Sequence, residues 1–207
     1  MAWPLTDKFN SDTKSLGDLN GQDGWSGDTD FEVVNVGLAV VEGDQGIQFG
    51  SGGGSGADDI EIAVSVTEGT MYISMGRSRN NSRVLELLLY SGTDLCCHIQ
   101  FHPVGNIFYW YNGGGDEKTI TAYVANTIYR LGVQVNSTTD QYRCNVGDGV
   151  WGDWVTYHDG ASGDIDKLII RADGRDANEF EYFDWISPNY APVAEGKPSR
   201  LASQMVG

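Results

Sequence analysis

Apolar side chains recur at every second position in segment after segment of this chain. That period belongs to the β-strand and not to the helix. Ile60, Ile62, Val64 and Val66 alternate with Asp59, Glu61, Ala63 and Ser65. Met71, Ile73 and Met75 alternate with Tyr72 and Ser74; Leu95, Cys97, Ile99 and Phe101 alternate with Cys96, His98 and Gln100. The pattern returns at Tyr129, Leu131, Val133 and Val135, and again at Tyr142, Cys144 and Val146. Less regular strands are expected at 37–41, 46–50, 84–90, 106–112, 166–172 and 180–187. Turn residues punctuate the runs, as in Glu42-Gly43-Asp44, Asn112-Gly113-Gly114-Gly115, Gly147-Asp148-Gly149 and Ala172-Asp173-Gly174. About eleven short strands without an amphipathic helix predict an all-β, two-sheet sandwich or jelly roll. Alternation, as opposed to continuous apolarity, makes the sheets antiparallel with one wet face each. Ser51 to Ala57, mostly glycine and serine, reads as a flexible loop.

Composition agrees with a loop-punctuated β fold. The chain holds 28 glycines in 207 residues, about twice the usual ~7%. Its net charge of -16 opposes binding to phosphate backbones and anionic lipid, because affinity there depends on cations displacing counterions. No nucleic-acid or membrane partner is expected, and no apolar run approaches the ~20 residues of a membrane helix. The opening Met-Ala-Trp-Pro-Leu-Thr-Asp-Lys has neither a basic start nor an apolar segment, so cytoplasmic synthesis without a signal peptide is expected. Cys96, Cys97 and Cys144 are too few and odd in number for a disulfide framework. With only His98 and His102 nearby, they are expected to be thiols and not zinc ligands.

Residues 1–187 are expected to form the sandwich. From Pro188 the alternation stops, and three of the chain's five prolines fall in 188–207. This predicts an extended C-terminal arm, since proline cannot donate to a ladder. Leu201, Met205 and Val206 are its candidate anchors on a partner.

Three stretches together resemble a known family. They are Leu5-Thr-Asp7-Lys-Phe9-Asn10 with Gly17-Asp-Leu19-Asn20-Gly21-Gln22-Asp23-Gly24-Trp25, then Gly37-Leu38-Ala39-Val40, then Ile165 to Ile170 with Tyr182-Phe183-Asp184-Trp185-Ile186. Their order resembles the concanavalin A-like lectin/glucanase superfamily, whose first and last strands lie side by side. The Leu-Asn-Gly-Gln-Asp-Gly-Trp opening is similar to laminin-G-like domains of bacterial and phage proteins. The resemblance implies a concanavalin A-like jelly roll. It also implies a structural calcium held by Asp184 with backbone carbonyls near Gly37 and Phe9, oxygen being the donor a hard cation takes. The alternative for Asp184 is a hydrogen bond to loop amides.

Retaining glycosidases of this fold need two carboxylates ~5.5 Å apart, and the family carries them in Glu-x-Asp-x-x-Glu on one strand. This chain has no such segment. Glu179-Phe-Glu181-Tyr-Phe-Asp184 puts its third acid on the wrong face, and Asp59 with Glu61 lacks a third member. The sequence therefore predicts a non-enzymatic protein, with glycoside hydrolase or polysaccharide lyase as remote alternatives. Exposed aromatics suit sugar rings, which singles out Tyr109, Trp110 and Tyr111, together with Trp151 and Trp154. Arg77, Arg79 and Arg83 are expected on a loop able to grip an acidic sugar or a neighbouring subunit. The main expectation is a phage-type virion module, decorating a capsid or associated with a tail, whose partners are other virion proteins or copies of itself. The alternative is a calcium-dependent carbohydrate-binding module.

Overall fold

The computed structural model describes residues 3, 7, 9, 11, 12, 14–35, 37–41, 44–50, 57–79, 84–111, 116–173 and 180–188. Its strands form two antiparallel sheets. One is eight-stranded, in the order β1 (Gly17–Asp18), β3 (Phe31–Val34), β4 (Gly46–Gly50), β15 (Phe180–Ser187), β6 (Glu68–Arg77), β11 (Thr127–Asn136), β12 (Gln141–Val146) and β13 (Val155–Thr156). The other is seven-stranded, in the order β10 (Asp116–Ala122), β9 (Asn106–Tyr111), β8 (Asp94–His102), β7 (Val84–Ser91), β14 (Ile165–Asp173), β5 (Asp58–Val66) and β2 (Trp25–Gly27). One parity of each strand fills the space between the sheets. Met71, Ile73 and Met75 meet Leu85, Leu87, Leu89, Ile99 and Leu168, all buried. The all-β antiparallel sandwich expected from the alternation is the observed architecture.

An isolated bridge ties the N-terminal segment to the last strand. Asp7 and Ile186 exchange both backbone hydrogen bonds, at 2.9 and 2.8 Å. The Asp7 carboxylate then gathers the N-terminal segment. Its Oδ1 accepts the Phe9 N–H at 3.0 Å, and its Oδ2 accepts the Trp25 indole N–H at 2.9 Å and the Lys14 ammonium at 2.9 Å. Lys14, 4% exposed, also reaches Asp23 at 2.9 Å. The Leu19–Trp25 stretch is thus a tight turn that delivers Trp25 to Asp7 and to the rings of Phe9 and Phe183.

The short strands β1, β2, β3 and β13 carry too few residues for the alternation to mark them, and two further differences have a clear cause. Residues 37–41 do not form a strand; Gly37–Ala39 is a short 3-10 turn, and the Val41 N–H goes to Asp184 Oδ2 at 2.7 Å instead of a ladder partner. The turn packs directly on the start of β4, where a Cβ on Gly46 would lie 1.8 Å from the Ala39 carbonyl oxygen. Gly46→Ala must lift this turn, and an overpacking cost of about 1–3 kcal/mol is expected in denaturant titration. Conversely, β10 escaped the pattern because it is an edge strand with no fully buried position. Its charges are what an open edge uses against aggregation.

Cys96, Cys97 and Cys144 are buried, free thiols, as expected. Burial pushes all three up, Cys96 to about 12, so they are poor nucleophiles.

Candidate functional site

The run Val84-Leu85-Glu86-Leu87-Leu88-Leu89-Tyr90 places one carboxylate in a strand of leucines. Leu85, Leu87 and Leu89 face the core, so Glu86, Leu88 and Tyr90 belong to the outer face. The ladder registers extend this face into rows. Across β5, β14, β7, β8 and β9 the first row is Asp59, Arg171, Glu86, Gln100 and position 108. The second is Glu61, Ile169, Leu88, His98 and position 110. A third begins with Ala63, Lys167, Tyr90 and Leu95. Five strands at ~4.8 Å spacing make each full row about 19 Å long.

The first row is a continuous polar network. Arg171 binds Asp59 through two parallel bonds, at 2.7 and 2.8 Å. This pairing, more than the nearby Glu86, raises the guanidinium above its ordinary range. Arg171 Nη1 also lies 3.8 Å from Glu86 Oε2. Glu86 is 7% exposed, and its Oε1 accepts the Gln100 amide at 2.8 Å and lies 3.0 Å from His98 Nε2. Each buried charge therefore has partners, as burial requires. Gln100 is 8% exposed, and its Oε1 has no hydrogen-bond partner. Below the row, Leu88 and Ile169 are buried, while Lys167 sits 3.6 Å from Glu61 and over the Tyr90 ring at 5.5 Å.

At the Tyr90 end the face opens into a cleft of about 330 Å³, bounded by Tyr90, Leu95, Asp94 and Asp159. The Asp159 wall comes from the short turn His158–Gly160, whose His158 ring lies 6.0 Å from that of His98. Burial lowers the His158 pKa and Asp159 partly offsets this, so the ring is neutral at pH 7.

The residues singled out from the sequence do not converge. Tyr109 is in the core at 2% exposure, its ring against Tyr142; the alternation of β9 turns it inward. Trp110 and Tyr111 are placed by backbone register alone, Trp110 opposite His98 and Tyr111 opposite Asp116. Trp151 and Trp154 lie by the eight-stranded sheet, clasping Arg143, whose guanidinium is 5.3 and 4.7 Å from the two rings. Arg143 donates to Gln134 at 2.7 Å, and Trp151 packs on Tyr72. Both rings thus flank one guanidinium, and Trp154 remains 37% exposed.

Arg77 is not on a loop either. It is buried between the sheets, 2.9 Å from Glu181 and near the Tyr123 hydroxyl at 3.4 Å. Glu181 is thereby removed from any catalytic role in the Glu179–Asp184 stretch. Arg83, Glu179, Leu201, Met205 and Val206 lie outside the described residues.

For calcium, Asp184 is fully buried beside the 37–39 turn, and Oδ2 is held by an amide N–H. Phe9 is a core residue with a positive φ of 47°. Among the described residues no group of three or more His, Cys, Asp or Glu converges. The ion that the resemblance implies would take backbone carbonyls as well as Asp184, and no role is derived for it.

Glu86, Gln100 and Arg171 carry no motif in the sequence, and Asp59 with Glu61 lacks a third member there. A signal was present: a lone carboxylate within a leucine strand must be paired, and Arg171 ends a similar apolar run, Leu168-Ile169-Ile170.

No protein-family model matches the chain, and no curated protein matches it in sequence. Solved structures do match in fold. A β-glucanase of Bacillus licheniformis aligns at TM-score 0.57 and 12% identity, over 92% of this chain and 99% of that one. A Crh5 transglycosylase aligns at TM-score 0.59 and 18% identity, over 91% and 85%. The carbohydrate-binding module CBM66 from Bacillus subtilis aligns at TM-score 0.51 and 15% identity, over 78% and 92%. A sialidase matches at TM-score 0.59 and 14% identity over 87% of this chain, which spans only 18% of the sialidase's length. The chain has the concanavalin A-like lectin/glucanase fold.

The expectation of a non-enzymatic protein is corrected by this comparison, since a β-glucanase and a transglycosylase share the fold. That expectation rested on a single-strand motif. Here the carboxylates of one face come from different strands, Asp59 and Glu61 from β5 and Glu86 from β7, an arrangement no linear motif displays.

Proposed function

We propose that the protein recognises glycans on the outer face of its seven-stranded sheet, with Glu86 at the centre. The observation that carries this reading is the row Asp59, Arg171, Glu86 and Gln100, in which fixed planar polar groups lie side by side across four strands. Such groups exchange hydrogen bonds with sugar hydroxyls, and buried partners hold them in place before the ligand arrives. The carbohydrate-binding module among the fold's neighbours supports the same reading. It takes precedence over the virion reading, for which no residue geometry in the described chain speaks.

The test is a glycan array with the full-length protein, repeated with Glu86→Ala and in the presence of a chelator. Selective binding that falls at least tenfold in Glu86→Ala, with an unchanged circular dichroism spectrum, is the expected result. Binding that survives Glu86→Ala unchanged would move the site elsewhere. Loss on chelation would restore calcium to the account; indifference would remove it. Product analysis on the bound glycans reads any turnover in the same samples.

A further inference from the structure

The charge and hydrogen-bonding character of this face select among glycans. Five carboxylates, those of Asp59, Glu61, Glu86, Asp94 and Asp159, stand along the rows and the adjoining cleft, against the cations of Arg171 and Lys167. Arg171 is already bound by Asp59 through two bonds, and Lys167 is held between Glu61 and the Tyr90 ring. Each cation thus already has a carboxylate beside it, and carboxylates outnumber cations on the face. Gln100 Oε1 is buried without a donor, and Glu86 Oε2 has the Arg171 guanidinium 3.8 Å away, beyond hydrogen-bond distance. A buried acceptor without a donor has lost its water without a replacement, which a bound donor would relieve.

We infer that this face takes a glycan bearing free amino groups, its ammonium donating to Gln100 Oε1 and Glu86. The inference rests on the glycan reading above and adds the substrate class to it. An ammonium supplies three donors and the opposite charge. A uronic or sialic acid brings an anion to five carboxylates, and like charges brought together at a binding face repel.

The experiment is calorimetric titration of the full-length protein at pH 5.5 with four hexamers: glucosamine, N-acetylglucosamine, β-glucan and galacturonate. Glucosamine hexamer is expected to bind at least tenfold tighter than its N-acetylated counterpart, with the advantage shrinking as salt rises. Glu86→Gln and the more exposed Glu61→Gln should each narrow that ratio, the second guarding against misfolding of the first. Equal or tighter binding of the N-acetylated or β-glucan hexamer overturns the inference while leaving glycan recognition standing. Tightest binding of the galacturonate hexamer overturns it as well. Binding of none of the four overturns both.

Discussion

Asp7→Ala is expected to destabilise the protein by about 3–5 kcal/mol, the range for breaking a buried ion pair. Three donors converge on this carboxylate, from Phe9, Trp25 and Lys14. Alanine would leave the Lys14 ammonium, 4% exposed, with only Asp23, and would orphan the indole N–H of a buried tryptophan. In a chain of this size about 2–4 °C of melting temperature goes with each kcal/mol, so a fall of roughly ten degrees is expected in a thermal scan. Asp7→Asn keeps the shape but only one accepting oxygen, so its NH2 must face at least one of these donors, and its stability should fall between those of Asp7→Ala and the parent. A melt indistinguishable from the parent for Asp7→Ala would show that the N-terminal segment contributes nothing to the sandwich.

The second large effect is expected at the inner ion pair. Arg77 and Glu181 are each 2% exposed and meet at 2.9 Å between the sheets. Arg77→Met removes the cation paired with the buried Glu181, and a loss of about 3–5 kcal/mol is expected. Buried pairs repay little of their desolvation, so removing both partners costs less than removing one. The double variant Arg77→Met/Glu181→Leu is accordingly expected to be more stable than either single variant in urea. Additive losses instead would mean that the two side chains act independently.

Strand periodicity carried most of the fold because half-buried antiparallel strands write their burial into every second residue. The segments around 60, 73, 99, 133 and 144 show this plainly, and all are strands in the structure. Where one side of the strand lacks a buried partner, as in β10, the signal vanishes. Where a glycine invites a turn to pack on it, as Gly46 does with Ala39, apolar residues at 37–41 mislead. The site was less legible because its residues are far apart in sequence: Asp59, Glu86, Gln100 and Arg171 become neighbours only through ladder register. Aromatic-rich runs drew the sequence reading toward Tyr109, Trp151 and Trp154. One fills the core and the other two pack around Arg143.

The central claim is a location, and a footprint tests it most directly. Amide resonances of the isotope-labelled protein would be followed while the tightest-binding hexamer is added. Shifts concentrated on β5, β7, β8 and β14, at Asp59, Glu86, Gln100 and Arg171, are the expected result. Shifts confined to the Trp151–Trp154 segment and the eight-stranded sheet, or none at millimolar hexamer, would contradict glycan recognition at Glu86.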